Sequence, residues 1–236
     1  FPDCTWGGSY LPTGASRCEL AIVDLDAGGP AHLETFADPL RDLDVVPTTG
    51  ELVLTSSTWQ AEDAVDAGQP IATVTFYDPD LRQVVGETSF ANCADELKLQ
   101  PGGHLALLAP TFCRERQAGS YDPISVINLE TRAWVETLPG FGPVSISRDG
   151  TRAVGFTRKN DMAQQWDTVQ QELVGLIVID LETLNWHLIE YGDDEPSYHL
   201  ASDGNSLYTS EIDTLCTWEA STLTCSSDRA LRRVDL

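Results

Sequence analysis

The chain has 236 residues, with 42% apolar and 22% charged side chains, which is the balance of a folded protein and not of a disordered one. Its net charge of −23 repels phosphate backbones, so nucleic acid and anionic membrane surfaces are poor partners. No apolar run reaches the ~18 residues needed to cross a bilayer, so membrane insertion is not expected.

Lysine is nearly absent, with only Lys98 and Lys159. High-GC codon usage and solubility in salt explain this acidity; a cation-binding surface is the sharper reading. The chain opens on Phe1 with no initiator Met and no signal peptide, so Phe1 reads as a processed mature end or a cut boundary.

Taken in order, the chain repeats itself about every fifty residues. One marker closes an apolar run: Ile22-Val23-Asp24, Phe76-Tyr77-Asp78, Val126-Ile127-Asn128, Val178-Ile179-Asp180 and Arg233-Val234-Asp235, at intervals of 54, 50, 52 and 55. A second marker is a glycine turn: Thr49-Gly50, Gly102-Gly103, Asp149-Gly150 and Asp203-Gly204, at intervals of 53, 47 and 54. Glycine supplies the positive φ of tight hairpins, so both markers punctuate antiparallel strands, named a to d in each repeat.

Residues 1–18 read as a loop, followed by strand c at Glu19–Leu25 and strand d at Ala31–Phe36. Repeat two has a at 42–46, b at 51–57, c at 71–77 and d at 83–90. Repeat three has a at 95–99, b at 104–109, c at 124–129 and d at 132–138. Repeat four is the clearest, running from Gly142 to Gly192. Repeat five has a at 197–201, b at 206–210 and c at 230–236. Long polar b–c loops cover 55–70, 109–123 and 157–172, and the third could hold a short helix. Loops of that length on a rigid scaffold are where function usually sits.

Six cysteines stand at 4, 18, 93, 113, 216 and 225 without a C-x-x-C pair, which argues against a zinc ribbon or a thioredoxin-type site. Cys93 and Cys113 lie symmetrically about Gly103, the tip of an a–b hairpin, and the other four open and close b–c loops. The register pairs Cys4 with Cys18, Cys93 with Cys113 and Cys216 with Cys225. Such bonds imply an oxidising compartment: extracellular, cell-surface or periplasmic. The absence of an Asn-x-Ser/Thr sequon favours a bacterial exported protein.

The Ser-x-Asp-Gly run at 147–150, its variant ending in Ser202-Asp203-Gly204, and Val178-Ile179-Asp180-Leu181-Glu182-Thr183 resemble the blades of YVTN-type and TolB-like β-propellers. The resemblance covers nearly the whole chain. It implies an all-β propeller of four-stranded antiparallel blades: partial blade 1–38, blades 39–91, 92–139 and 140–192, and partial blade 193–236. Three full and two partial blades imply one propeller domain or a fragment of a larger ring, of about seven blades by analogy. The likeness does not choose among enzymes, sensors and scaffolds.

Aligning strand a on its turn glycine puts Val45, Lys98, Ser145 and His199 at one position, so Lys98 and His199 are candidate channel ligands or inter-blade hydrogen bonders. Trp134 and Trp186 recur six residues after the strand c marker, and packing between blades accounts for them. Trp59 and Trp166 lie in b–c loops with no cysteine beside them, as aromatics do that recognise a sugar, a peptide or a protein. Arg114, Arg116, Arg158 and Lys159 gather scarce positive charge on the same loops. Asp193-Asp194-Glu195, and Asp78 with Asp80, offer oxygen ligands to calcium, though solvated turn acids explain them as well.

No nucleophile elbow, phosphate loop or dinucleotide fingerprint occurs. The reading is an exported, non-enzymatic module that binds a protein or ligand, or assembles with itself, through the b–c and d–a loop face. The alternative is a lactonase- or quinoprotein-like enzyme with its site at the channel mouth.

Overall fold

A computed structural model describes residues 3–4, 18–22, 32–36, 40–57, 72–90, 94, 96–110, 123–161, 170–190, 197–219 and 222–236. Every regular element among them is a strand. The first sheet holds β1 (Asp3–Cys4), β2 (Cys18–Ile22) and β3 (His32–Phe36). The second holds β4 (Leu40–Val45), β5 (Leu52–Ser57), β6 (Ala72–Asp78) and β7 (Gln83–Phe90). The third holds β8 (Glu96–Leu99), β9 (Leu105–Ala109), β10 (Pro123–Asn128) and β11 (Ala133–Pro139). The fourth holds β12 (Phe141–Ile146), β13 (Arg152–Asp161), β14 (Gln170–Asp180) and β15 (Trp186–Glu190). The fifth holds β16 (Ser197–Leu200), β17 (Ser206–Glu219) and β18 (Thr222–Asp235).

Within each sheet, neighbours in space are neighbours in sequence. This is the antiparallel meander that the repeat predicts. The chain divides into two compact units: residues 1–99, 106–114 and 125–137, and residues 100–105, 115–124 and 138–236.

The burial pattern explains why strands b and c read as continuous apolar runs. Their two faces serve two different cores. In the first unit, Val53, Val74 and Phe76 join Leu97, Ala106, Leu108 and Ile127 between sheets two and three. The alternate residues Leu54 and Tyr77 turn the other way, onto Leu20 and Leu40. In the second unit, Val154, Phe156, Leu176 and Val178 pack on Leu200 and Leu207. A strand covered on both faces has no polar side to alternate with.

The strand c marker has a mechanical origin. Asp78 Oδ1 accepts from the N–H groups of Asp80 and Leu81, both at 2.9 Å. Asn128 Oδ1 accepts from Glu130 and Thr131 at 3.0 and 2.8 Å. Asp180 Oδ1 does the same for Glu182 and Thr183 at 3.1 and 2.9 Å. The marker caps the c–d turn, a job that Asp and Asn do equally because both offer Oδ1. The fifth residue of each turn takes left-handed backbone: Arg82, Arg132 and Leu184 at φ 54°, 54° and 58°.

Two of the a–b glycines, Gly150 and Gly204, are held by contact as well as by conformation, whereas nothing lies within 4 Å of a Cβ on Gly50 or Gly102. In the second unit the Gln100 amide donates to the Gly150 carbonyl at 2.7 Å. A Cβ on Gly150 would stand 2.7 Å from the Pro101 carbonyl oxygen, and one on Gly204 would stand 2.7 Å from Thr151 Oγ1. In the second unit Gly150 and Gly204 therefore each lie against the a–b turn before them.

Several expectations are corrected. Residues 1–18 are not all loop, since β1 pairs Asp3 with Glu19 and Cys4 with Cys18. The 157–172 loop carries strand at both of its ends, where Thr157–Asp161 ladder with Gln170–Gly175 past a register shift. The fifth b–c segment is ladder too, continuous from Ser206↔Asp235 to Glu219↔Thr222. Trp134 and Trp186 are not packed between sheets: they are 53% and 48% exposed. Strand d is a sheet edge, so only one of its flanks is covered.

Candidate functional site

Of the predicted binding and metal residues, Lys98 and His199 lie among the described residues, one in each unit. Lys98 lies on β8 opposite Leu107, and its ammonium pairs with Glu96 at 3.2 Å. His199 lies exposed on β16 opposite Tyr208, with buried Leu200 beside it. The ladders make Ser145, paired with Val154, their equivalent. In the second sheet the matching residue is Asp44, paired with Val53, and not Val45, paired with Leu52. The glycine marker misaligned that strand because the positive-φ glycine sits four residues after Val46 but three after Ser147 and Ala201.

Trp59, Trp166, Arg114, Arg116, Asp193, Asp194, Glu195, Cys93 and Cys113 lie outside the described residues. Asp78 uses its carboxylate to cap a turn, and no group of three or more His, Cys, Asp or Glu converges among the described residues. Backbone register sets Cys4 opposite Cys18 and Cys216 opposite Cys225. Directly opposed residues of an antiparallel pair stand about 4.5–5.5 Å apart at Cα, within the span that a disulfide bridges.

One candidate site among the described residues is marked as such by no motif in the sequence. A cavity of about 380 Å³ in the second unit is lined by Arg152, Val178, Asp180, Thr183, Asn185, Trp186, His187 and Leu236. Its residues come from the start of β13, the end of β14, the c–d turn, the start of β15 and the residue after β18. All of these lie at the a–b and c–d turn end of the sheets, opposite the end that carries the b–c loops.

The turn fixes this site. Thr183 donates its N–H and its hydroxyl to Asp180 Oδ1, each at 2.9 Å, and Glu182 adds its N–H. These donors, with Thr183 N–H foremost, hold the Asp180 carboxyl below its ordinary range, and the nearby Arg152 charge pulls the same way. Asp180 Oδ2 takes none of the three bonds. On the floor, Val178 is buried in the core of the unit, and Leu236 packs against that core. At the rim, Trp186 is half-exposed. Among the described residues, the side chains of Arg152, Asn185 and His187 make no hydrogen bond. A half-exposed indole beside polar groups that other described residues do not use is a binding arrangement.

The c–d turn marker names Asp180 and the recurring Trp position names Trp186. What the sequence could not supply was that strand d is uncovered.

No family profile and no curated protein matches the chain. Solved structures do. Kuenenia stuttgartiensis hydrazine synthase superposes with a TM-score of 0.55 at 16% identity, over 98% of this chain and 69% of that one. The β-propeller domain of Myceliophteria thermophila Cps50 (Swd1) superposes with a TM-score of 0.51 at 14% identity, over 83% of this chain and 56% of that one. The chain thus spans little more than half of the second structure. Identities this low carry the fold and nothing further. Five antiparallel meanders in sequence and these likenesses agree on one statement: the chain has a β-propeller fold.

Proposed function

We propose that the chain is a recognition module and not an enzyme, and that the turn-end cavity beside Trp186 is one of its binding sites. The observation that carries this reading is a half-exposed tryptophan in a cavity whose Arg152, Asn185 and His187 side chains make no hydrogen bond among the described residues. The b–c loops with Trp59, Trp166, Arg114 and Arg116 are a second proposed surface, and a calcium ion held by Asp193, Asp194 and Glu195 belongs to the same proposal. Opposed cysteines on two hairpins support export to an oxidising compartment.

The test is a paired screen on immobilised peptide and glycan arrays. Wild-type protein is compared with Trp186→Ala and Trp59→Ala, and every retained compound is checked for turnover. The reading expects selective retention that falls in one of the variants, with the compound recovered unchanged. A wild type that retains nothing, or that converts what it retains, overturns it.

A further inference from the structure

Resting on the recognition reading, we propose that the Trp186 cavity takes a neutral pyranose sugar: a hexose ring or the terminal hexose of a longer glycan. Four observations converge on that chemistry. First, Trp186 presents an indole that the fold leaves half-exposed at the rim. A pyranose face whose axial positions carry hydrogens is an apolar C–H surface, and an aromatic ring is the side chain that such a face covers. Second, the remaining lining groups are mostly planar and polar: the Arg152 fork, the Asn185 amide, the His187 ring and the Asp180 carboxylate. Together they offer donors and acceptors, which vicinal hydroxyls need because each is both.

Third, charge and volume select against the alternatives. The lining holds one arginine and one aspartate, which cancel. An anionic ligand would meet Asp180 and a chain of net charge −23. A cationic peptide would meet Arg152 as well as Asp180, and it is the small volume, not charge, that disfavours it. A neutral polyol meets no penalty from either. Fourth, the volume, about 380 Å³, falls at the lower end of the roughly 300–1,000 Å³ typical of small-ligand pockets. It suits a ring or two and not an extended chain. Asp180 is already fixed by its turn bonds, which leaves Oδ2 oriented before any ligand arrives.

The experiment follows the indole N–H resonances of 15N-labelled protein, with the Trp186 signal assigned by its loss in Trp186→Phe. The probes are methyl α-glucopyranoside, methyl α-mannopyranoside and methyl β-galactopyranoside, with neutral acetylated tripeptides as the comparison. The proposal expects at least one pyranoside to shift the Trp186 signal saturably, and to do so equally in Trp134→Ala. It expects Asn185→Ala to weaken that pyranoside severalfold and Trp186→Ala to weaken it roughly ten-fold or more. If only peptides move the Trp186 signal, the sugar assignment is overturned and the recognition site stands. If neither class moves it, both fall at this cavity. A pyranoside that binds equally well to Trp186→Ala also overturns the assignment.

Discussion

Arg132 shows how one side chain joins two sheets of the first unit. It sits at the left-handed position of the third sheet's c–d turn and reaches across to the second. Its guanidinium pairs with Glu51, donates to the Val85 carbonyl at 3.4 Å and lies 5.9 Å from the centre of the Phe76 ring. Its stem fills the space that glycine leaves at position 86, where a Cβ would stand 2.7 Å from Arg132 Cδ. Arg132→Ala should therefore cost about 1–2 kcal/mol in urea unfolding, from lost packing and a half-buried ion pair. Arg132→Lys should recover only part of that, because an ammonium cannot serve both acceptors from one plane. Tyr77 is the second such residue. Its buried hydroxyl donates to Glu34 at 2.8 Å, and burial, reinforced by that carboxylate, pushes the phenol from 10.0 up to about 12. The folded state thus holds this proton more tightly than the unfolded chain does. The stability it contributes is complete below pH 10.0 and is lost as pH rises toward about 12. Spectrophotometric titration should find a phenol delayed to that range that Tyr77→Phe removes, while the same substitution flattens the alkaline loss of stability.

At the scale of elements, the turns decide more than the strands do. Gly50 and Gly150 share a left-handed backbone, at φ 74° and 73°. Nothing lies within 4 Å of a Cβ on Gly50, whereas one on Gly150 would meet the Pro101 carbonyl at 2.7 Å. Gly50→Ala should cost only the conformational penalty, about 1–2 kcal/mol. Gly150→Ala adds a backbone clash and should cost clearly more, and thermal melting of the two variants side by side measures the difference. The glycines were legible in the sequence, and so was the period that they mark. Their second role was not, because contact between successive turns is a tertiary fact. The same limit explains Trp134 and Trp186. A tryptophan that recurs at one position of two repeats looks like packing, yet on an edge strand it can recur and still face solvent.

For the whole molecule, fold and site differed in legibility for one reason. The fold is written locally, in capped turns and doubly buried runs such as Leu105–Ala109, and each repeat restates it. The cavity is assembled from Arg152, the 178–187 stretch and Leu236, which no spacing rule brings together. The long b–c loops carry the composition that marks a site, while this cavity opens at the short-turn end. The repeat is the central claim, and residue-resolved amide hydrogen exchange tests it most directly. The prediction is that the slowest amides recur once per repeat in β5 with β6, β9 with β10, and β13 with β14, the inner pair of each four-stranded sheet, while the edge strands β7, β11 and β15 exchange faster. Slow amides gathered in one continuous block, or protected in the edge strands and open in the inner pairs, would contradict it.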